Sequence, residues 1–155
     1  MNNTVKKRSK RSVKVVLNNN FTFSDLSPRF KNVDSTTGNI FCPFHENHYT
    51  PAAKMYWNEQ HQIWILHCFG QCHRNFTAYD YVELILCEKY QKYTSPLDFL
   101  LKNMDKTKLY NQLDLAEKEY QEELSVFIND RLDYVNKLSE EHEATEDYIE
   151  ALYLG

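Results

Sequence analysis

Apolar residues change their spacing along the chain, from strand-like segments near the middle to helical spacing towards the end. Residues 52–57 (AAKMYW) and 62–66 (QIWIL) are rich in aromatic and branched side chains, which predicts two strands. The four residues between them suit a hairpin loop. Residues 12–17 (SVKVVL) predict a further short strand, because three asparagines follow and interrupt the pattern.

Two helices are predicted after the hairpin from their start signals. Thr77 and Asp80 form an N-capping pair, in which each side chain can bond the other residue's backbone amide. A second helix is predicted from Ser95, with Pro96 at its first position and Asp98 in its first turn. Each helix has an apolar face, so both are expected to pack on a core.

The rest of the chain predicts mainly helix. Residues 97–154 contain neither Gly nor Pro and keep apolar residues at helical spacing, so one long helix or a helical hairpin is expected. A weak break is expected near residues 139–145. Before the hairpin, Pro28 limits a helical turn predicted within residues 24–30, and a loop follows. These elements predict an α+β fold, with a small antiparallel sheet followed by α-helices.

The net charge of −4 is distributed unevenly over the 155 residues. Residues 1–31 hold eight Lys or Arg and one Asp, whereas residues 106–155 hold five basic and thirteen acidic residues. We therefore predict a basic flexible arm over residues 1–20 and an acidic helical extension over residues 106–155. The two ends favour different partners, and two solvated tails are the simpler interpretation. The sequence lacks the apolar run of a membrane span or signal peptide, so a cytoplasmic location is expected.

Cysteine and histidine occur in two closely spaced pairs. Two residues separate Cys42 from His45, and three separate Cys68 from Cys72. Both spacings allow two side chains to reach one tetrahedral ion, and the predicted hairpin between the pairs returns the chain to it. Three thiolates and one imidazole leave no position for water, so the sequence predicts one structural Zn²⁺ rather than a catalytic ion.

Other residues near these pairs give weaker signals. His48, His67 and His73 could replace a ligand, but a single neighbouring histidine is more often a surface or supporting residue. Cys87 is expected to be a small core side chain. The sequence contains no zinc-protease helix motif, deaminase motif, P-loop or dinucleotide-binding loop. No catalytic centre is therefore predicted.

Several short strings together resemble the zinc-binding domain of bacterial-type (DnaG-like) DNA primases. They are residues 41–45 (FCPFH), residues 50–51 (TP), residues 67–70 (HCFG) with Cys72, and residues 78–82 (AYDYV). The resemblance covers roughly residues 38–104, and a primase-type zinc-binding domain is assigned to residues 21–105. One residue more than the family usually has separates the last two cysteines, and Tyr49 stands where the family commonly has Lys.

The resemblance implies a zinc ribbon that holds single-stranded template DNA while a primer is started. In the family a separate toprim-type domain makes the RNA. Residues 106–155 are predicted to be acidic helix, so that catalytic domain is expected to be absent from this chain. The implied partners are single-stranded DNA and a separate primase catalytic chain or a helicase, in a bacterial, plasmid or phage-type replication context.

Basic residues supply two groups of candidate DNA contacts. In the arm, the residues expected to neutralise phosphates are Lys6, Lys7, Arg8, Lys10 and Arg11, although such a run can also be an address signal. On the hairpin, Lys54 and Tyr56 share one strand face, and Arg74 lies near the second cysteine pair. Trp64 is expected to pair near Met55 and face the core. Exposed rings on or beside the hairpin could stack on bases, or all of them could equally belong to the core: Tyr56, Trp57, Trp64 and Phe69.

The favoured hypothesis is a non-catalytic zinc-binding module of a DNA primase, which binds single-stranded DNA during primer initiation within a primosome. The alternative is a zinc-stabilised protein–protein adaptor in replication or transcription, whose acidic helix docks a partner. Neither hypothesis involves a membrane. Measured binding of single-stranded DNA separates the two.

Overall fold

The computed structural model describes residues 8–30, 39–46 and 50–154, with side chains described as far as Glu141. The α-helices and strands in this part are α1 Lys10–Asn20, α2 Phe23–Leu26, β1 Ala53–Asn58, β2 Ile63–Cys68, β3 Arg74–Phe76, α3 Ala78–Tyr81, α4 Pro96–Asn103 and α5 Lys106–Leu154. A 3₁₀ turn, Pro28–Phe30, follows α2, and π-helical turns over Val82–Lys89 continue α3. The predicted α+β fold class is confirmed.

The three strands form an antiparallel sheet in the order β1–β2–β3. The predicted hairpin is confirmed, with Ala53 opposite Cys68 at one end and Asn58 opposite Ile63 at the other. Strand β3 was not predicted from the sequence, because its three residues are too few to show alternation. It pairs with the C-terminal half of β2 and completes the sheet.

The register of the hairpin differs slightly from the expected one. Trp64 lies directly opposite Trp57, and Met55 lies opposite Leu66. Trp64 and Met55 nevertheless share the inner face of the sheet, because they are two positions apart in the ladder. Trp64 packs against the core cluster beneath the sheet, so its expected direction is confirmed.

The strand predicted over residues 12–17 is wrong, because these residues belong to helix α1. Ser9 caps this helix by accepting a hydrogen bond from the Ser12 amide. The side chains buried along it have helical spacing: Ser12, Val13, Val16 and Leu17. Val15, which suggested alternation, is exposed. From Lys10 onward the chain is therefore packed helix, and the flexible arm predicted over residues 1–20 does not extend through it.

The helix start signals after the sheet were read correctly. The Thr77 amide donates to the Asp80 carboxylate at 2.8 Å, and the Asp98 amide donates to the Ser95 hydroxyl at 3.1 Å. Helix α5 is continuous, so the weak break expected near residues 139–145 is wrong. No helix in the described ranges combines the length and apolar character needed to cross a membrane.

Two hydrophobic clusters stabilise the first of two compact units, residues 1–117. The cluster beneath the sheet contains Phe23, Phe30, Met55, Leu66, Phe76 and Tyr81. The second cluster joins α1, the α3 region, α4 and the start of α5, through residues that include Leu17, Val82, Leu100, Leu109 and Leu113. Cys87 packs against this second cluster, as expected. The second unit is residues 118–155.

Candidate metal centre

Four predicted ligands converge beside the open end of the hairpin. The ligand atoms of Cys42, His45, Cys68 and Cys72 all lie within 4.8 Å of one another. The Cys42 and Cys72 sulfurs are 3.9 Å apart. His45 Nδ1 lies 3.0 Å from the Cys72 sulfur and 3.8 Å from that of Cys68. The cluster predicted from sequence is therefore formed, and it could hold a metal ion.

Backbone pairing brings the two halves of the cluster together. Ile40 and Ala53 exchange two amide-to-carbonyl hydrogen bonds of 2.7 and 3.0 Å, which places the first Cys-His pair alongside β1. On the other side, the Phe69 amide donates to the Ala52 carbonyl at 2.7 Å, directly after Cys68 ends β2. Both pairs are thus attached to the same end of the sheet by main-chain bonds.

Side-chain packing fixes the turn that carries Cys42 and His45. The ring of Phe44, within this turn, stacks on Phe76 of β3 with centroids 3.7 Å apart and planes 6° apart. Phe44 also meets Tyr81 edge-on at 6.2 Å. Since Phe76 and Tyr81 are core residues, these ring contacts hold the turn against the core.

Burial and backbone amides shift the pKa of each of the three thiols. Burial raises the pKa of Cys42 to about 12, although the Phe44 amide donates to its sulfur and opposes the shift. Burial also raises the pKa of Cys72. At Cys68 burial acts in the same direction, but the amides of Cys72 and Gly70 donate to the sulfur and leave its pKa below the ordinary value. Binding a metal as thiolates therefore releases protons at neutral pH.

The neighbouring histidines are placed away from the cluster. His67 Nδ1 lies 2.6 Å from Asn75 Oδ1, and its ring meets that of Phe69 at 4.4 Å. His73 is exposed and has a positive φ of 47°. Neither is among the clustered ligand atoms of the described residues. His48 lies outside the described residues.

The predicted DNA contacts on the hairpin are divided between the two faces of the sheet. Lys54 and Tyr56 share the outer face, with the Lys54 ammonium 5.8 Å from the Tyr56 ring centroid. Arg74 lies opposite Cys68 in the ladder and therefore on the inner face. The three residues predicted as one group do not share a surface.

Arg74 is held by interactions on its own side of the sheet. Its guanidinium lies 4.3 Å from the Phe76 ring centroid, and it is 4.0 Å from the Asp80 carboxylate. Its positive charge lowers the pKa of Cys72, against the larger effect of burial. These contacts place Arg74 beside Phe76 and Asp80 on the inner face, away from Tyr56.

The outer face carries the ring of Phe69, which the sequence offered as a possible stacking residue but which was not among the favoured contacts. Phe69 is 52% exposed, and its ring lies 6.3 Å from Tyr56 and 4.4 Å from His67. A surface hollow of about 350 Å³ lies between these rings and includes Ile65 and Asn75. Alternation along β2 was the sequence signal that could have placed His67 on the outer face, together with Ile65. In the sheet, His67 lies directly opposite Lys54 in β1 and Asn75 in β3.

The predicted basic arm is only partly described. Two of its five named cations, Lys6 and Lys7, lie outside the described residues. Arg8 forms an ion pair with Asp114, and Lys10 lies 3.5 Å from the Glu83 carboxylate. Arg11 is exposed on helix α1. The described cations are thus part of a folded surface that also contains acidic residues.

No family model, curated protein or solved structure matches this chain. The class that the fold and site define is therefore an α+β protein with a Cys-His-Cys-Cys cluster that could bind a metal. The resemblance to primase zinc-binding domains rests on the short sequence strings that surround this cluster.

Proposed function

We propose that the chain binds one structural Zn²⁺ and acts as a non-catalytic, single-stranded DNA-binding module of the kind found in bacterial-type DNA primases. The observation that carries the proposal is the Cys-His-Cys-Cys cluster at the end of a hairpin whose outer face bears exposed rings. Primer synthesis would then require a separate catalytic chain.

The spacing of the ligand atoms supports zinc. With Zn–S bonds of about 2.3 Å and Zn–N bonds of about 2.0 Å, a tetrahedral site has sulfur–sulfur edges of about 3.8 Å and sulfur–nitrogen edges of about 3.5 Å. The observed 3.9 Å between Cys42 and Cys72 and 3.8 Å between His45 and Cys68 are close to these values. The 3.0 Å between His45 and Cys72 is shorter than the expected sulfur–nitrogen edge. Three thiolates and one imidazole form a closed structural set, in which zinc supplies folding free energy rather than reactivity.

The outer face of the sheet supports binding to single-stranded nucleic acid. Tyr56 and Phe69 are about half exposed, which leaves their rings available for base stacking. Lys54 lies beside Tyr56 and can meet a phosphate next to a stacked base. His67 and Asn75 add polar atoms to the same surface. A single-stranded nucleic acid would thus meet aromatic rings in the hollow and positive charge at the edge of the hollow.

A binding experiment with a matched control tests the proposed surface. We expect Tyr56→Ala and Phe69→Ala each to raise the dissociation constant for a fluorescent single-stranded oligonucleotide by about 5- to 150-fold, the range for loss of one stacked base. Tyr90→Ala is the control, because Tyr90 is 63% exposed and has Lys89 5.6 Å from its ring, but lies outside the hollow.

The same titrations separate this proposal from the adaptor alternative. Equal effects of Tyr56→Ala and Tyr90→Ala would contradict the outer face as the DNA surface. A zinc-loaded chain that binds no oligonucleotide would contradict the DNA-binding function and favour the adaptor. Metal analysis of the same sample establishes whether it contains one zinc per chain.

A further inference from the structure

Helix α5 carries a stripe of exposed apolar side chains within the second unit, residues 118–155. Ile128, Val135 and Leu138 are 51%, 50% and 47% exposed, and Phe127 and Tyr134 beside them are about 60% exposed. Among the described residues of α5, none beyond Ala116 belongs to or packs against either hydrophobic cluster. The stripe is thus a separate surface, and so many large apolar side chains on one helix indicate an interaction site.

The stripe has the seven-residue spacing of a coiled coil. Ile128 and Val135 are seven residues apart, and Leu124 and Leu138 lie on the same side of the helix, each three or four residues from one of them. In heptad notation the β-branched residues take position a and the leucines take position d. This combination favours two parallel strands over three or four.

The same spacing continues along the sequence, with polar interruptions. Ile149 and Leu152 repeat the a and d residue types, whereas the other seam positions are polar, at Gln121, Arg131, His142 and Thr145. Polar residues at a few seam positions specify register and oligomeric state at a cost in stability. We therefore expect a specific association of moderate strength.

The positions of the charges favour a second copy of this chain over a basic partner. In the segment 121–138 the acidic residues fall at the outward positions b, c and f: Glu122, Glu123, Asp130 and Asp133. The positions that flank the seam, e and g, are uncharged there: Ser125, Phe127, Leu132 and Tyr134. Two copies can therefore pair without opposed like charges along this segment. Beyond it, Glu141 at g and Glu146 at e face each other in a parallel pair and weaken the association there. A basic helix would find no acidic residues beside the seam.

We propose that residues 121–152 of α5 pair with the same residues of a second chain as a parallel, two-stranded coiled coil. The assembly then contains two metal sites and two outer sheet faces. Binding of one single strand by two modules would increase avidity without any new contact. The association itself does not depend on the DNA-binding proposal.

Sedimentation equilibrium of the full zinc-loaded chain tests the association. We expect a concentration-dependent dimer, with Val135→Lys raising its dissociation constant at least about tenfold, because a lysine enters the seam. Val126→Lys is the matched control, since Val126 is 60% exposed at an outward position. It adds the same charge to the same helix, and we expect less than about a twofold change.

Salt dependence and cross-linking distinguish the proposed dimer from binding of a different partner to the apolar stripe of α5. Residues 118–155 hold three basic and eleven acidic residues, so added salt tightens a dimer of two such segments by screening their repulsion. Under oxidation by glutathione disulfide, Leu138→Cys chains cross-link through the parallel seam, and Asp133→Cys chains do not. The proposal would be overturned if the chain were a monomer at about 100 µM with native helicity. It would also be overturned if the two valine variants had equal effects, or if a dimer formed in which Leu138→Cys failed to cross-link.

Discussion

Gly70 and Ala52 meet so closely that a Cβ built on Gly70 would lie 3.1 Å from the Ala52 Cβ. The same Cβ would lie 3.8 Å from the Cys68 sulfur and 4.0 Å from the His45 ring. Gly70 has no positive φ, so its role here is the absence of a side chain rather than backbone freedom. The close approach lets the turn between Cys68 and Cys72 lie against β1.

We therefore expect Gly70→Ala to destabilise the zinc-loaded protein by about 1–3 kcal/mol, since the added methyl over-packs the contact. The double variant Gly70→Ala/Ala52→Gly removes the opposing methyl and is expected to recover most of the loss. Denaturant unfolding of the four proteins in the cycle measures the coupling. Simple additivity of the two single changes would show that Ala52 is not the obstacle.

Removal of one thiolate is expected to abolish metal binding. Cys42→Ser leaves three ligands, and structural zinc in small domains contributes of the order of 10 kcal/mol to folding. We expect loss of zinc by elemental analysis and loss of ordered structure around the hairpin by amide exchange. Cys87→Ser is the matched control, because Cys87 is partly buried but outside the cluster. A full equivalent of zinc in Cys42→Ser would refute the ligand set.

The accuracy of the sequence predictions depended on whether the deciding signal was local. Cap residues such as Thr77 and Ser95 act within one helical turn, and they located two helix starts correctly. The spacing of the cysteine pairs likewise located the metal cluster. Helix α1 was misread because Val13, Val15 and Val16 fit both periods over so short a segment. Only packing against the second cluster decides between helix and strand there.

The candidate DNA surface was less predictable because it depends on pairing between strands. Lys54 and Tyr56 were placed on one face by alternation within a single strand, which is a local property. The face occupied by Arg74 follows from its pairing with Cys68, and the sequence before it contains a turn of unknown geometry. For the same reason, Phe69 and His67 were not recognised as neighbours of Tyr56.

The start of helix α4 is expected to contribute to stability in a pH-dependent way. The Thr94 amide donates to the Asp98 carboxylate at 3.0 Å and lowers the pKa of Asp98, with a smaller contribution from Lys102. A carboxyl whose pKa is lower in the folded state stabilises the protein above its unfolded pKa of about 4, and this contribution is lost as the pH falls through the folded value. Asp98→Asn is therefore expected to flatten the acid side of the melting-temperature profile. Asp130→Asn, on an exposed part of α5, is the control, and equal profiles for the two variants would contradict the assignment.

The last prediction concerns how the salt dependence of DNA binding is divided between the N-terminus and the sheet. Each phosphate neutralised on a single strand contributes about 0.7 to the slope of log affinity against log salt. Residues 1–7 contain Lys6 and Lys7 and precede helix α1, which begins at Lys10, so their deletion leaves the sequence of this helix and its Ser9 cap unchanged. If both lysines contact phosphates, their removal lowers the slope by about 1.4.

Changes on the outer face are expected to separate charge from stacking. Lys54→Gln lowers the slope by about 0.7, because it removes one cation beside the hollow. Tyr56→Ala weakens binding at every salt concentration and leaves the slope unchanged, since stacking releases no counterions. Titrations between about 50 and 200 mM salt measure both quantities. A Tyr56→Ala variant that changes only the slope would indicate that the ring positions Lys54 rather than stacking on a base.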